Sequence, residues 1–354
     1  MANYEYIKKR MSSMEGERQT WEDHWQQILD YVMPRKADIT FQRSQGEART
    51  EVLFDATAIT ANNLLAASLH GTLTSPSLQW FQLKLREDAL NREREVQLWL
   101  EDSARKMYDL FNETNFNTEV HELYLDLCSI GTGALFVEEG KKGFDEDAIH
   151  FNTLHISEFY IKESINGKVD TLYRRYKLTA RQAVQEFGED NLGDKVIESL
   201  EKKPDKDFTF IHAVEPKEDY EKGTGETAET KLPFHSCHVC EEDQMVVRVS
   251  GYNEFPYLVP RWSKATGEVF GRSPSFNALP DIKTLNKAVE IGLKAWAKAI
   301  DPPLLVTDDG VIGRVRVTPG GITVVRGDGS VRPLQVATNW QITDMKENQL
   351  RAAI

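Results

Sequence analysis

Residues 235–240, His-Ser-Cys-His-Val-Cys, carry the residue types of a zinc site: His235, Cys237, His238 and Cys240. A structural zinc ion needs four such ligands converging on one point at bond-length range. Strand periodicity works against convergence, because Cys237 and Cys240 then point to opposite faces, as do His235 and His238. The only other cysteine is Cys128, so no second ligand pair completes a set. The stretch reads as one strand of a hairpin. Its rival is a metal-dependent hydrolase using the His235–Cys240 segment and nearby acids.

The turn Gly131-Thr132-Gly133 raises the question of phosphate binding. Phosphate-cradling loops run strand, glycines, helix, so that the anion meets a helix N-terminus. Here a helical pattern precedes the glycines and a strand pattern follows, and the reading is a tight turn that reverses the chain. The carboxylates around Glu138, Glu139, Glu241 and Glu242 fall in turns, and no serine or cysteine stands in a nucleophile context. The expectation is a protein that is not an enzyme, with no metal and no cofactor.

Between Gly271 and Val306 lies the strongest helical pattern in the chain. Ile282, Leu285, Val289, Leu293, Trp296 and Ile300 step by three and four along one face. Lys283, Lys287, Lys294 and Lys298 fall about 130° away at roughly 100° per residue. Asp301-Pro302-Pro303 ends the pattern. Two readings stay open: a solvated or snorkelling face, or a stripe that meets acidic neighbours or a nucleic-acid backbone along its length.

These residues sit in a chain of 354 residues with a formal net charge of -13. The length calls for more than one packed region. The charge argues against gripping a polyanion with the whole surface, though a local basic strip is compatible with it. Three cysteines give no disulfide framework and suit a reducing, intracellular setting. No apolar run is long enough for a bilayer, and the start has no apolar signal core.

The elements that must position the candidates follow from periodicity. Trp21, Trp25, Ile28, Leu29 and Val32 share a helix face that Pro34 ends, and a polar loop runs from Arg35 to Glu51. Asp55 or Thr57 caps a helix carrying Ile59, Leu65 and Leu69, with Gly71 closing it. Leu78, Trp80, Phe81, Leu83 and Leu85 predict a strand. Two helices follow, one with Val96, Trp99, Leu100, Met107, Leu110 and Phe111, the next with Phe116, Val120, Leu123, Tyr124 and Leu127.

From Ala134 the period changes to two. Strands are expected in residues 134–139, 149–154, 158–162, 171–178 and 208–216, the last alternating Phe208, Phe210, His212 and Val214. Thr179 and Gln182 make a capping box, and Gly188 ends that short helix. Residues 216–233 read as a mobile surface loop, and 234–259 as a hairpin turning at 241–244. Residues 304–336 are short strands punctuated by Gly310, Gly313, Gly320, Gly321, Gly327 and Gly329. A new helical pattern with Met345, Leu350 and Ile354 starts near the end, and its lack of a cap predicts further ordered chain. The class is α+β.

Taken in order, these segments resemble the portal protein, or head-to-tail connector, of short-tailed podovirus-type bacteriophages. The resemblance runs through residues 17–34, 53–83 and 126–139. It is strongest at 251–290, where Tyr252, Pro256, Arg261, Trp262, Gly271, Pro274, Leu279 and Leu285 sit as that family has them. It implies a portal-like fold: a helical and β wing over 1–270, a first stem helix over 271–300, a small β-rich clip over 301–336, and the start of a second stem helix over 337–354. The channel loop and crown of the family would lie beyond. It also implies a ring, typically of twelve subunits, at one capsid vertex of the virion, assembled in the host cytoplasm. Double-stranded DNA would pass through the channel. Further partners would be terminase, a tail adaptor, and capsid and scaffolding proteins, with no membrane. Lys283, Lys287, Lys294 and Lys298 then become candidate channel or subunit contacts, and Arg314, Arg316 and Arg326 a candidate clip surface. A non-ring structural adaptor is the alternative within the same particle.

Overall fold

The computed structural model describes residues 2–41, 43–44, 46–140, 149–225, 227–228, 230–300, 302, 304–306, 331–333 and 340–354. The elements in order are helices α1 (Ala2–Val32), α2 (Thr57–Leu73), α3 (Arg94–Glu113) and α4 (Phe116–Ser129), then strands β1 (Ala134–Glu139), β2 (Ile149–Leu154), β3 (Phe159–Glu163) and β4 (Val169–Thr179). There follow α5 (Ala180–Phe187), α6 (Asp194–Lys202), β5 (Asp207–Pro216), α7 (Lys217–Thr224), β6 (Phe234–Cys240), β7 (Met245–Tyr252) and β8 (Tyr257–Leu258). The last are α8 (Pro274–Ile300), β9 (Leu304–Val306), β10 (Val331–Pro333) and α9 (Trp340–Ala353). The fold is α+β.

Two compact units divide the chain: Met1–Thr50 with Ile59–Asn277, and Glu51–Ala58 with Ala278–Ile354. The first is built on a five-stranded antiparallel sheet in sequence order, β3-β4-β5-β6-β7, and a three-stranded sheet, β2-β1-β8. Strand β5 is central and buried on both faces, so alternation there separates two cores and not core from water. On one face Tyr4, Ile7, Met11 and Met14 of α1 pack on Tyr160, Tyr173, Ile211, Ala213, Cys237 and Val239. On the other, Ala183 and Phe187 of α5 and Val196 of α6 pack on Phe208, Phe210, Cys240 and Val247.

Polar side chains tie α1 to the sheets. The Arg18 guanidinium is buried and donates to the carbonyls of Ile156 (2.9 Å), Ser157 (3.2 Å) and Phe159 (2.9 Å). It also pairs with Glu22 at 2.7 Å and lies over the Tyr160 ring. Buried Glu215 accepts from Tyr6 (3.2 Å), Tyr173 (3.1 Å) and Arg10 (3.0 Å). Trp21 and Trp25 stack at 5.8 Å, and Trp25 meets Phe270 edge-on at 4.9 Å. The two tryptophans are a packing anchor.

Several sequence expectations are corrected. Helix α1 begins at Ala2, well before the tryptophan pattern, because Tyr4, Ile7, Met11 and Met14 extend the same periodicity. Helix α2 runs through Gly71 to Leu73. Residues 78–85 are not a strand: no neighbouring strand pairs with them among the described residues, and Leu78, Trp80 and Leu85 are exposed. The expected mobile loop at 216–233 contains α7, held to the sheet by buried Tyr220, which stacks on His235 with ring centres 3.7 Å apart. The capping box of Thr179 and Gln182 and the stop at Gly188 are present as read. In the expected clip, β9 and β10 pair antiparallel. Its glycine-punctuated middle, with Arg314, Arg316 and Arg326, lies outside the described residues.

Candidate functional site

The Gly131 turn, read as structural, proves to be a docking joint at the start of α8. Gly131 takes φ +86°, open to glycine and strained for other residues. A Cβ there would stand 2.5 Å from the Ser273 nitrogen, and one on Gly271 would stand 2.4 Å from the Gly131 oxygen. Glycine at both positions lets the two backbones touch. Trp262 N–H donates to Gly131 O (2.9 Å), Gly133 N–H to Pro260 O (3.3 Å), and Gly271 N–H to Thr132 Oγ1 (2.8 Å). The hydroxyls of Ser273 and Ser275 donate to the carbonyls of Ser129 (2.6 Å) and Cys128 (3.0 Å) at the end of α4. These bonds satisfy groups that a helix C-terminus leaves open.

Arg261 braces the same joint. Its guanidinium pairs with Glu163 and donates to the carbonyls of Gly167 (3.0 Å) and Val269 (3.2 Å). Pro274 opens α8, where its missing N–H costs nothing. Pro280 lies inside the helix, where the Thr284 hydroxyl donates to its carbonyl at 2.8 Å.

Along α8 the apolar face divides. Ile282 and Leu285 are buried, whereas Leu293, Trp296 and Ile300 are 48%, 58% and 65% exposed. Among the lysines, Lys283 is half-buried and Lys287, Lys294 and Lys298 are exposed. Lys287 and Lys294 are brought together by Glu290, which pairs with Lys287 at 2.8 Å and also with Lys294. The hydrogen bonds from Lys287 and then Lys294 hold the Glu290 carboxyl below its usual range. Glu290 was legible three residues after one lysine and four before the other, the spacing at which helix side chains meet. Among the described residues, Lys298 has no such link to these three.

Within the second unit, segment Glu51–Ala58 is held by α8 and α9. Asn286 Oδ1 accepts from Phe54 N–H (2.7 Å) and Asp55 N–H (3.2 Å), and its Nδ2 donates to Val52 O (2.8 Å). Arg351 of α9 pairs with Asp55 at 3.0 Å. Asp55 Oδ1 accepts from Thr57 N–H (2.9 Å), the capping role foreseen for it. Asn286 and Arg351 were not foreseen, since local spacing carries no signal for partners so distant in sequence.

The His235–Cys240 segment does not form a metal centre. Cys237 packs in the α1-side core and Cys240 in the α5–α6 core, on opposite faces of the sheet. His235 stacks on Tyr220 and His238 on His212. Burial drives the Cys240 thiol up to about 11 and the His235 imidazole down to about 4, so neither is poised as a nucleophile or base at neutral pH. No helix among the described residues is long and apolar enough to cross a membrane.

Comparison with known proteins gives this joint and helix a family. The family described as "Bacteriophage head to tail connecting protein" matches residues 5–354. The "Probable portal protein" of Bordetella phage BPP-1 is 30% identical over 321 residues, 90% of this chain. The "Portal protein" of Salmonella phage epsilon15 is 28% identical over 337 residues, 93% of this chain. The chain spans 57% and 60% of the lengths of these two relatives. It belongs to the bacteriophage head-to-tail connecting protein family.

Proposed function

We infer that this chain is the wing, first stem helix, clip and start of the second stem helix of a phage portal protein. Copies, typically twelve, close into a ring at one capsid vertex of the virion. The ring is the channel for DNA packaging and ejection and the docking site for terminase and then a tail adaptor, in contact with capsid and scaffolding proteins. The observation that carries this reading is the family match over residues 5–354, joined to two relatives named "Probable portal protein" and "Portal protein". Support also comes from α8, whose 27 residues make a rod of about 40 Å at a rise of about 1.5 Å per residue.

In this reading the wing is 1–270, the stem helix 271–300, the clip 301–336 and the second stem helix starts at 337. Arg314, Arg316 and Arg326 are the basic residues that the clip would offer to terminase or tail. The exposed Leu293, Trp296 and Ile300 face neighbouring copies. Two roles are open to the lysines, toward passing phosphates or toward carboxylates of the next copy. Glu290 already neutralises part of their charge, which favours a weak contact over a tight grip. A conduit needs that weakness, since each phosphate contact adds affinity through counterion release and many would arrest the duplex. The chain's net charge of -13 acts in the same sense.

The test is reversal of two charges, Lys287→Glu with Lys294→Glu, in the gene product. If the lysines serve the channel, rings assemble and packaged DNA falls. If rings fail to assemble, the lysines pair with neighbours. Normal rings with normal packaging would remove the stripe from the function.

A further inference from the structure

Four side chains stand in register across four neighbouring strands: Arg174 on β4, His212 on β5, His238 on β6 and Arg248 on β7. The two imidazoles stack face to face, with ring centres 3.9 Å apart and planes within 8°. His212 is buried. Its Nε2 shares a hydrogen bond with Ser236 Oγ (2.9 Å) and its Nδ1 one with Tyr257 OH (2.6 Å). His238 Nδ1 meets Tyr176 OH at 3.2 Å. Each outer arginine has a carboxylate of its own, Glu158 for Arg174 (3.2 Å) and Glu186 for Arg248 (3.0 Å).

The ladder lies where two layers meet. Tyr257 belongs to β8 of the three-stranded sheet, and Phe136 of β1 stacks on it at 4.7 Å and meets His212 edge-on at 5.7 Å. His212 therefore joins the five-stranded sheet to the three-stranded one through a ring contact and a short hydrogen bond. On the other side, Phe187 of α5 packs against His238.

We propose that this ladder is an acid-sensitive latch between the two sheets, closed while His212 is neutral and released when His212 takes up a proton. The groups facing it are Arg174 and Tyr176 from β4, His238 from β6, Arg248 and Tyr252 from β7, Tyr257 from β8, Glu138 from β1 and Glu186 from α5. A proton on His212 would place a cation away from water in one row with two guanidiniums, each about a strand spacing or two away. Burial first, then His238, Arg174 and Arg248, hold the imidazole well below its ordinary 6.5. The sign follows: the closed form resists the proton that the opened form accepts. The latch is therefore fully stable above about pH 6.5 and weakens as pH falls below it. It needs no ring assembly to operate.

Hydrogen exchange of the whole chain, corrected for the intrinsic pH dependence of exchange, tests it. Opening of β1 and β8 should grow about tenfold per pH unit below about pH 6.5, one proton's worth. His212→Gln keeps polar partners for both hydroxyls but cannot be protonated, and its opening should change less than about twofold per unit. Equal pH dependence in the two proteins would overturn the latch. Should the variant fail to fold, histidine NMR of the unaltered chain decides. The His212 signal should stay neutral until β1 and β8 open, whereas titration near its ordinary value with the sheets still closed would refute the proposal.

Discussion

His235 is buried with its Nε2 atom lacking a hydrogen-bond partner among the described residues, and burial pulls its proton affinity from 6.5 down to about 4. A base depressed in the folded state gives stability that is complete above the unfolded value and is lost as pH falls toward the folded one. His235→Phe should keep the stack on Tyr220 and remove this loss. Relative to the unaltered chain it should gain about 1.4 kcal/mol per pH unit between pH 6.5 and about 4, measured by denaturant unfolding at pH 7.5 and 5. An equal difference at both pH values would contradict the assignment. Gly131 makes the opposite kind of prediction. A methyl group there meets backbone, which cannot swing aside, so Gly131→Ala should cost about 3 kcal/mol or more at any pH. A change within about 0.5 kcal/mol would mean that the joint is loose.

Beside the apolar contacts of Tyr4, Ile7, Met11 and Met14, the Arg18 guanidinium ties helix α1 to the sheets. Arg18→Met keeps the aliphatic stem but leaves three carbonyls without their donor. The expected loss is about 3 kcal/mol, read as a lowered melting temperature. An unchanged melting temperature would show that water replaces the guanidinium. At this scale the sequence is readable where pattern and partner coincide. The strands from Ala134 onward were legible because their period-two residues find neighbours, as was the Thr179–Gln182 box because it is local. Residues 78–85 carry the same period without a partner strand among the described residues, and periodicity cannot supply one. Helix α7 was missed because Tyr220 is the only large apolar residue in Lys217–Thr224. The Arg174–His212–His238–Arg248 row depends on register, which no single strand encodes. Of the candidate site, the lysine stripe and its Glu290 link were written in local spacing, whereas the Gly131–Gly271 joint and the Asn286 clasp required the fold.

On the whole molecule, two charges oppose each other: the overall balance of -13 and the lysines of α8. Removing the Glu290 carboxylate by Glu290→Gln frees Lys287 and Lys294. If these lysines face the channel of an assembled ring, this should tighten duplex binding and steepen its salt dependence, by up to about one charge of slope for every phosphate that a freed lysine reaches. A binding curve unmoved in affinity and slope would place these lysines away from DNA. All of this presupposes that copies associate into a channel. Particle mass and negative-stain images of the intact gene product, over a range of concentration, test that directly. The account predicts a closed annulus of about a dozen copies with a central hole. A species that stays a single compact copy at high concentration would contradict it.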